Sequence, residues 1–132
     1  MLSSGKLYGV PAVEAHLYWP TLSEQLKPAV DRSQGRYTLD SVLEAIENRK
    51  MQLWFVPAKC SCVTQITNYP NKQICTLMFC GGHDMDEWVH HLETIEDWAR
   101  SEGCDAMEIY GRKGWARVLG YDTEMTLLGK NL

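Results

Sequence analysis

The stretch "QICTLMFCGGHDMDEWVHHLETIEDWARSEGCDAMEIY", residues 73–110, changes its hydrophobic period twice. Residues 73–80 are rich in β-formers and read as a strand. In the middle, Trp88, Leu92, Ile95 and Ala99 recur at the spacing of one helix face, Asp84 and Glu87 have the spacing of a capping box, and Gly103 is the stop. "AMEIY", residues 106–110, is a short apolar strand. Strand, helix 84–102 and strand in that order predict a right-handed crossover, which makes the two strands parallel neighbours.

Outward from this unit, "MQLWFV" (51–56) and "CSCVTQIT" (60–67) complete three consecutive antiparallel strands, separated by the turn-like "PAK" and "NYPN". Before them, Thr38 is a good N-cap, and Leu39, Val42, Leu43 and Ile46 form the stripe of an amphipathic helix. Residues 12–30 look helical, but Pro20 and Pro28 predict a kinked or two-piece helix. Residues 1–11 carry Ser, Gly and Pro without periodicity and read as a loose lead-in. After the crossover, "KGWARVL" (113–119) gives a short helix and "EMTLLG" (124–129) a final strand. The whole of 1–132 fits one domain with one core.

With 13 Lys+Arg against 17 Asp+Glu, the net charge of −4 offers no general attraction to nucleic-acid backbones or anionic membranes. The densest basic group, Arg112, Lys113 and Arg117, reads as a solvated helix face. No apolar run approaches the roughly 18 residues that span a bilayer, and the start of the chain lacks the apolar core of a signal peptide. The expectation is a cytoplasmic protein without nucleic-acid or membrane partners. Five cysteines fit reduced thiols better than a disulfide framework. Cys60 and Cys62 share one strand face, but Cys75, Cys80 and Cys104 do not complete a second close pair for a metal.

The order helix, helix, three antiparallel strands, helix, strand, short helix, strand resembles the GNAT (Gcn5-related N-acetyltransferase) superfamily over roughly residues 12–132. The most specific piece is "WARVLGYD" (115–122), because family members close their fourth helix with Leu-Gly-Phe or Leu-Gly-Tyr, and Leu119-Gly120-Tyr121 has that form. With "GRKGW" (111–115), the chain looks most like the divergent GNAT-like proteins encoded by tailed bacteriophages. The resemblance implies an α/β (α+β) three-layer fold, with a mixed central sheet flanked by helices.

The resemblance also implies where acetyl-CoA would sit. Two parallel strands splay apart beside the start of the central helix, and free backbone N–H groups with the helix dipole cradle the pyrophosphate. The matching stretch is "FCGGHDMDEW" (79–88), so Cys80, Gly81, Gly82 and His83 are the cofactor-binding candidates, with the glycines as a flexible loop. No Arg or Gln precedes them at the family spacing, and Asp84, Asp86 and Glu87 put carboxylates where the anion would lie. Many family members carry an acidic Tyr four residues before the late Gly. That position is Ala116 here, Trp115 beside it has no acid, and Tyr110 and Tyr121 reach the place only with a local shift of the chain; Tyr121 reads first as a core residue.

Other chemistry is thinner. Glu87 and His90 are general-base candidates near the splayed strands, and Asp86, Glu87 and His90 supply one His–carboxylate pair, short of a metal site. Cys80 and His83 are sequence neighbours, a placement that seldom makes a nucleophile pair. The missing cofactor and acid residues point to a catalytically degenerate GNAT-like phage protein, in the host cytoplasm or the virion. It would act through contacts with a protein partner, in virion assembly or host-factor binding. The alternative is an active acetyl-CoA-dependent N-acetyltransferase with an atypical cofactor loop, and a third reading is a small metal- or thiol-dependent protein. A filled cleft and exposed apolar or aromatic side chains would mark the first; an open V-shaped cleft with free N–H groups near Gly82 would mark the second.

Overall fold

The computed structural model describes residues 5–83, 88–110, 113–123 and 127–132, with the backbone alone over 113–115. In chain order the elements are β1 (Tyr8–Val10), a 3-10 turn (Ala12–Glu14), α1 (Ala15–Asp31), α2 (Leu39–Glu47), β2 (Gln52–Val56), β3 (Cys60–Tyr69), β4 (Lys72–Gly82), α3 (Trp88–Ser101), β5 (Ala106–Ile109) and α4 (Lys113–Leu119). One five-stranded sheet has the order β1-β2-β3-β4-β5. Neighbours are antiparallel except β4 and β5, which are parallel across the α3 crossover.

The period of two along the strands sends alternate side chains to two helical layers. Leu53, Phe55, Val63 and Phe79 form one core with Trp19, Leu22, Leu26 and Val30 of α1 and Val42 and Ile46 of α2. Trp54, Val56, Cys60, Cys62 and Leu77 form the other with Trp88 and Ile95 of α3. The result is a mixed sheet between helices, the three-layer α/β arrangement that the family resemblance implies. Trp54 carries its polar atom inward at no loss, since its Nε1–H donates to Thr64 Oγ1 at 3.0 Å and that hydroxyl donates to Gln52 Oε1 at 2.8 Å.

Three sequence expectations are corrected. The segment with two prolines, expected as a kinked or two-piece helix, is one continuous helix from Ala15, which removes the two-piece alternative. Ala15, Trp19, Leu22, Leu26 and Val30 make its buried stripe, while Pro20 and Pro28 sit on the exposed face, where water can satisfy the carbonyls that lose an N–H partner. Residues 8–10, read as part of the lead-in, form the edge strand β1. Three residues are too few to show a period, and the position of Gly9 is set by packing: a Cβ there would come 3.3 Å from the Trp54 ring. The final strand is absent among the described residues of its span, because 127–129 are irregular and exposed and 124–126 lie outside the described residues. The α2 cap is as read, with Thr38 Oγ1 accepting from Ser41 N and Ser41 Oγ accepting from Thr38 N.

Candidate functional site

β4 and β5 run together only from Ile74↔Ala106 to Leu77↔Ile109. β5 then ends, whereas β4 continues to Gly82 still paired with β3. The β3–β4 register slips between Val63 and Thr64, which pair with Phe79 and Leu77, so Met78 is the extra residue of a β-bulge. A bulge bends its strand and raises the local twist. It falls just past the last pair with β5, and from there residues 79–82 stay paired with β3 alone.

Ladder geometry fixes which backbone groups face that vacated edge. His83 N–H donates to Lys59 O at 2.6 Å on the β3 side. In an antiparallel pair both polar groups of a residue point the same way and alternate along the strand. Gly81 therefore faces β3, and Cys80 and Gly82 turn their N–H and C=O toward the side that β5 has left.

The cofactor candidates occupy this strand end instead of a flexible loop. Cys80, Gly81 and Gly82 pair with Cys62, Ser61 and Cys60. The glycines are needed for close packing of the protein on itself: a Cβ on Gly81 would lie 2.0 Å from Gln25 O of α1, and one on Gly82, at φ +130°, would lie 2.3 Å from Lys59 O. His83 follows with an exposed side chain. Cys80 is half-buried among the apolar side chains beneath α3, and burial pushes its thiol pKa far above the ordinary value.

The acid and base candidates are not brought together. His90 stands on the exposed face of α3, opposite the stripe of Trp88, Leu92, Ile95 and Ala99 that packs on the sheet. Glu87 lies outside the described residues, as do Asp84, Asp86 and Arg112. Tyr121 is half-buried past the end of α4, with its N–H donated to Ala116 O at 3.0 Å. Its hydroxyl donates to Glu96 Oε2 of α3 at 2.7 Å. Burial first, and then the Glu96 carboxylate, push the Tyr121 pKa well above the ordinary tyrosine range, so this phenol holds its proton tightly.

Sequence reasoning missed two features. One is the Tyr121–Glu96 tie, for which Glu96 on a helical pattern gives no signal. The other is that Cys80 faces Cys62 across the sheet, a juxtaposition that depends on the bulge and so on register. Among the described residues no group of His, Cys, Asp and Glu is arranged to hold a metal ion. Among the described residues, Trp88 Nε1, buried at the start of α3, has no hydrogen-bond partner.

No family model matches the sequence, and no curated protein does. Solved structures match the fold over nearly the whole chain. The ribosomal-protein-alanine N-acetyltransferase of Brucella melitensis biovar Abortus 2308 superposes with a TM-score of 0.66 at 9% identity, over 96% of this chain and 99% of that one. An aminoglycoside acetyltransferase from an uncultured soil metagenomic sample, solved with sisomicin, gives 0.68 at 8% identity, over 96% and 95%. The fold is GNAT-like. A predicted acetyltransferase of Clostridium acetobutylicum, solved with acetyl-CoA, gives the same score and coverage at 8% identity. At such identities the likeness is one of fold, and the site must be judged on its own residues.

The Clostridium acetobutylicum neighbour was solved with acetyl-CoA, and a pyrophosphate held at this end of β4 would require free amides and open space before the central helix. In this GNAT-like chain the first amide beyond β4, that of His83, is committed to Lys59 O, and the space above both glycines is filled by backbone of α1 and of the β2–β3 turn. The described residues do not fit a pyrophosphate. Among the described residues, the outer edge of β4 at Cys80 and Gly82 is where backbone groups face the cleft.

Proposed function

We propose that this GNAT-like chain is a catalytically degenerate member of the fold, of the kind encoded by tailed bacteriophages, and that it works through contacts with other proteins in virion assembly or host-factor binding. The observation that carries this reading is the packing around residues 81–83, where the Gln25 carbonyl lies against Gly81, and the Lys59 carbonyl lies against Gly82 and takes the His83 amide. The state of the phenol supports it: Ala116 stands where a family acid is expected, and Tyr121 is tied to a carboxylate that opposes its ionisation. Exposed apolar side chains follow β5 in the chain, with Tyr110 75%, Leu127 80% and Leu128 88% exposed, and such side chains are the material of a protein interface.

The experiment is a thermal melt of the purified protein with millimolar acetyl-CoA and, separately, desulfo-CoA. A ligand at a hundred times its dissociation constant stabilises a fold by about 2.7 kcal/mol, several degrees for a domain of this size. The expected result is no stabilisation by either compound; clear stabilisation by both overturns the proposal. A second reading, an acyl-CoA-dependent N-acyltransferase with an atypical cofactor loop, is favoured by the open edge of β4 alone, and the same melt would bring it forward.

A further inference from the structure

The α3 side of the sheet holds a thiol pair that neither reading uses. The His83 N–H bond to Lys59 O marks Lys59 and His83 as a hydrogen-bonded pair, and pairs then alternate along the ladder. Ser61 and Gly81 are the next hydrogen-bonded pair, which makes Cys62 and Cys80 a non-hydrogen-bonded pair. At such positions the Cα atoms stand about 4.5 Å apart and the side chains on one face lie close, at the short end of the range that a disulfide spans. Both sulfurs are free. Cys62 is fully buried and Cys80 half-buried, so Cys80 is the less enclosed residue of the pair. Cys60 shares the face but stands opposite Gly82, and Cys75 stands opposite Ile66.

We propose that Cys62 and Cys80 are a modification site: a dithiol that closes to a cross-strand disulfide by exchange with a low-molecular-weight disulfide. The Cys80 thiol gives up its proton and its sulfur attacks one sulfur of the small disulfide. That S–S bond breaks, a mixed disulfide forms on Cys80, and one small thiolate leaves and is protonated. Cys62 then loses its proton and attacks the Cys80 sulfur, which breaks the mixed disulfide and expels the second small thiol. The two protein thiols are oxidised by two electrons and the small disulfide is reduced to two thiols. Burial keeps both thiols protonated, so the exchange is slow, and in a reducing compartment the pair stays open. Closure ties the segment of β4 that has left β5 to β3, stiffening one wall of the cleft.

The test incubates the folded protein with oxidised glutathione, blocks residual thiols with iodoacetamide and digests with trypsin without reduction. Cuts after Lys59, Lys72 and Arg100 put Cys60 and Cys62 on one peptide and Cys75 and Cys80 on the next. The expected product is those two peptides joined, lighter than their sum by two hydrogen atoms. The link should be lost in Cys62→Ala and in Cys80→Ser and kept in Cys60→Ala and Cys75→Ala, each checked for its fold by circular dichroism. If Cys62→Ala fails to fold, the half-buried Cys80→Ser and the two permissive variants still decide. Five unlinked thiols in the folded wild type, or a link that survives Cys80→Ser, overturns the proposal.

Discussion

Gly81 is the residue on which the account of the site turns. Its Cα rests against the α1 backbone, and a methyl group 2.0 Å from Gln25 O cannot be absorbed by a side-chain rotation, because the obstacle is main chain. Gly81→Ala should therefore cost about 1–3 kcal/mol in urea unfolding as α1 is pushed off the sheet. An unchanged midpoint would show that space is free above the strand, as a ligand cradle requires. Tyr121 is the second such residue. Its bond to Glu96 joins the turn after α4 to α3, and hydrogen bonds of this type contribute about 1–3 kcal/mol, toward the lower end for a half-exposed pair. Tyr121→Phe should lower stability by about 1 kcal/mol, and Glu96→Gln on top of it should add little, because the two changes remove one interaction. Fully additive losses would mean that the contact contributes nothing.

At the scale of elements, long periodic segments were legible in the sequence and close approaches were not. The α3 stripe was readable because Trp88, Leu92, Ile95 and Ala99 repeat at helical spacing over several turns, and all four are buried. Ile95, wholly buried against the sheet, fills space that neighbours cannot close, so Ile95→Ala should cost about 2–5 kcal/mol by denaturant titration. A loss below 1 kcal/mol would remove α3 from the core. The parallel strand followed from the crossover, but its early end at Ile109 did not, since that depends on the bulge at Met78 and a bulge has no composition of its own. For the same reason the glycines at 81 and 82 read as a flexible loop, when they are strand residues pressed between α1 and the β2–β3 turn. β1 escaped notice because its order comes from pairing with β2, not from its own three residues.

At the scale of the whole molecule, much of the α3-side core is sulfur. Burial raises the pKa of Cys75 from 9.0 to about 12, and raises those of Cys60, Cys62 and Cys80 as well. The unfolded chain then releases these protons at lower pH than the native one. Above about pH 9 the unfolded state holds fewer protons, so stability is complete below that value and falls as pH rises toward 12. Melts in reducing buffer should show Tm dropping steadily over this window, and replacing Cys75 by Ala should make the decline shallower. A flat profile would place the thiols in contact with water. Among the described residues no helix is long and apolar enough to cross a membrane.

The central claim is that a GNAT-like scaffold here serves protein contacts, with its cofactor end filled by its own backbone. The most direct measurement is a 15N-labelled NMR titration with acetyl-CoA that follows the amides of Cys80, Gly82 and His83, which lie where the ligand would have to bind. The account predicts no saturable change at these three resonances up to millimolar ligand. Saturable shifts confined to them would contradict it and return the chain to the acyltransferases.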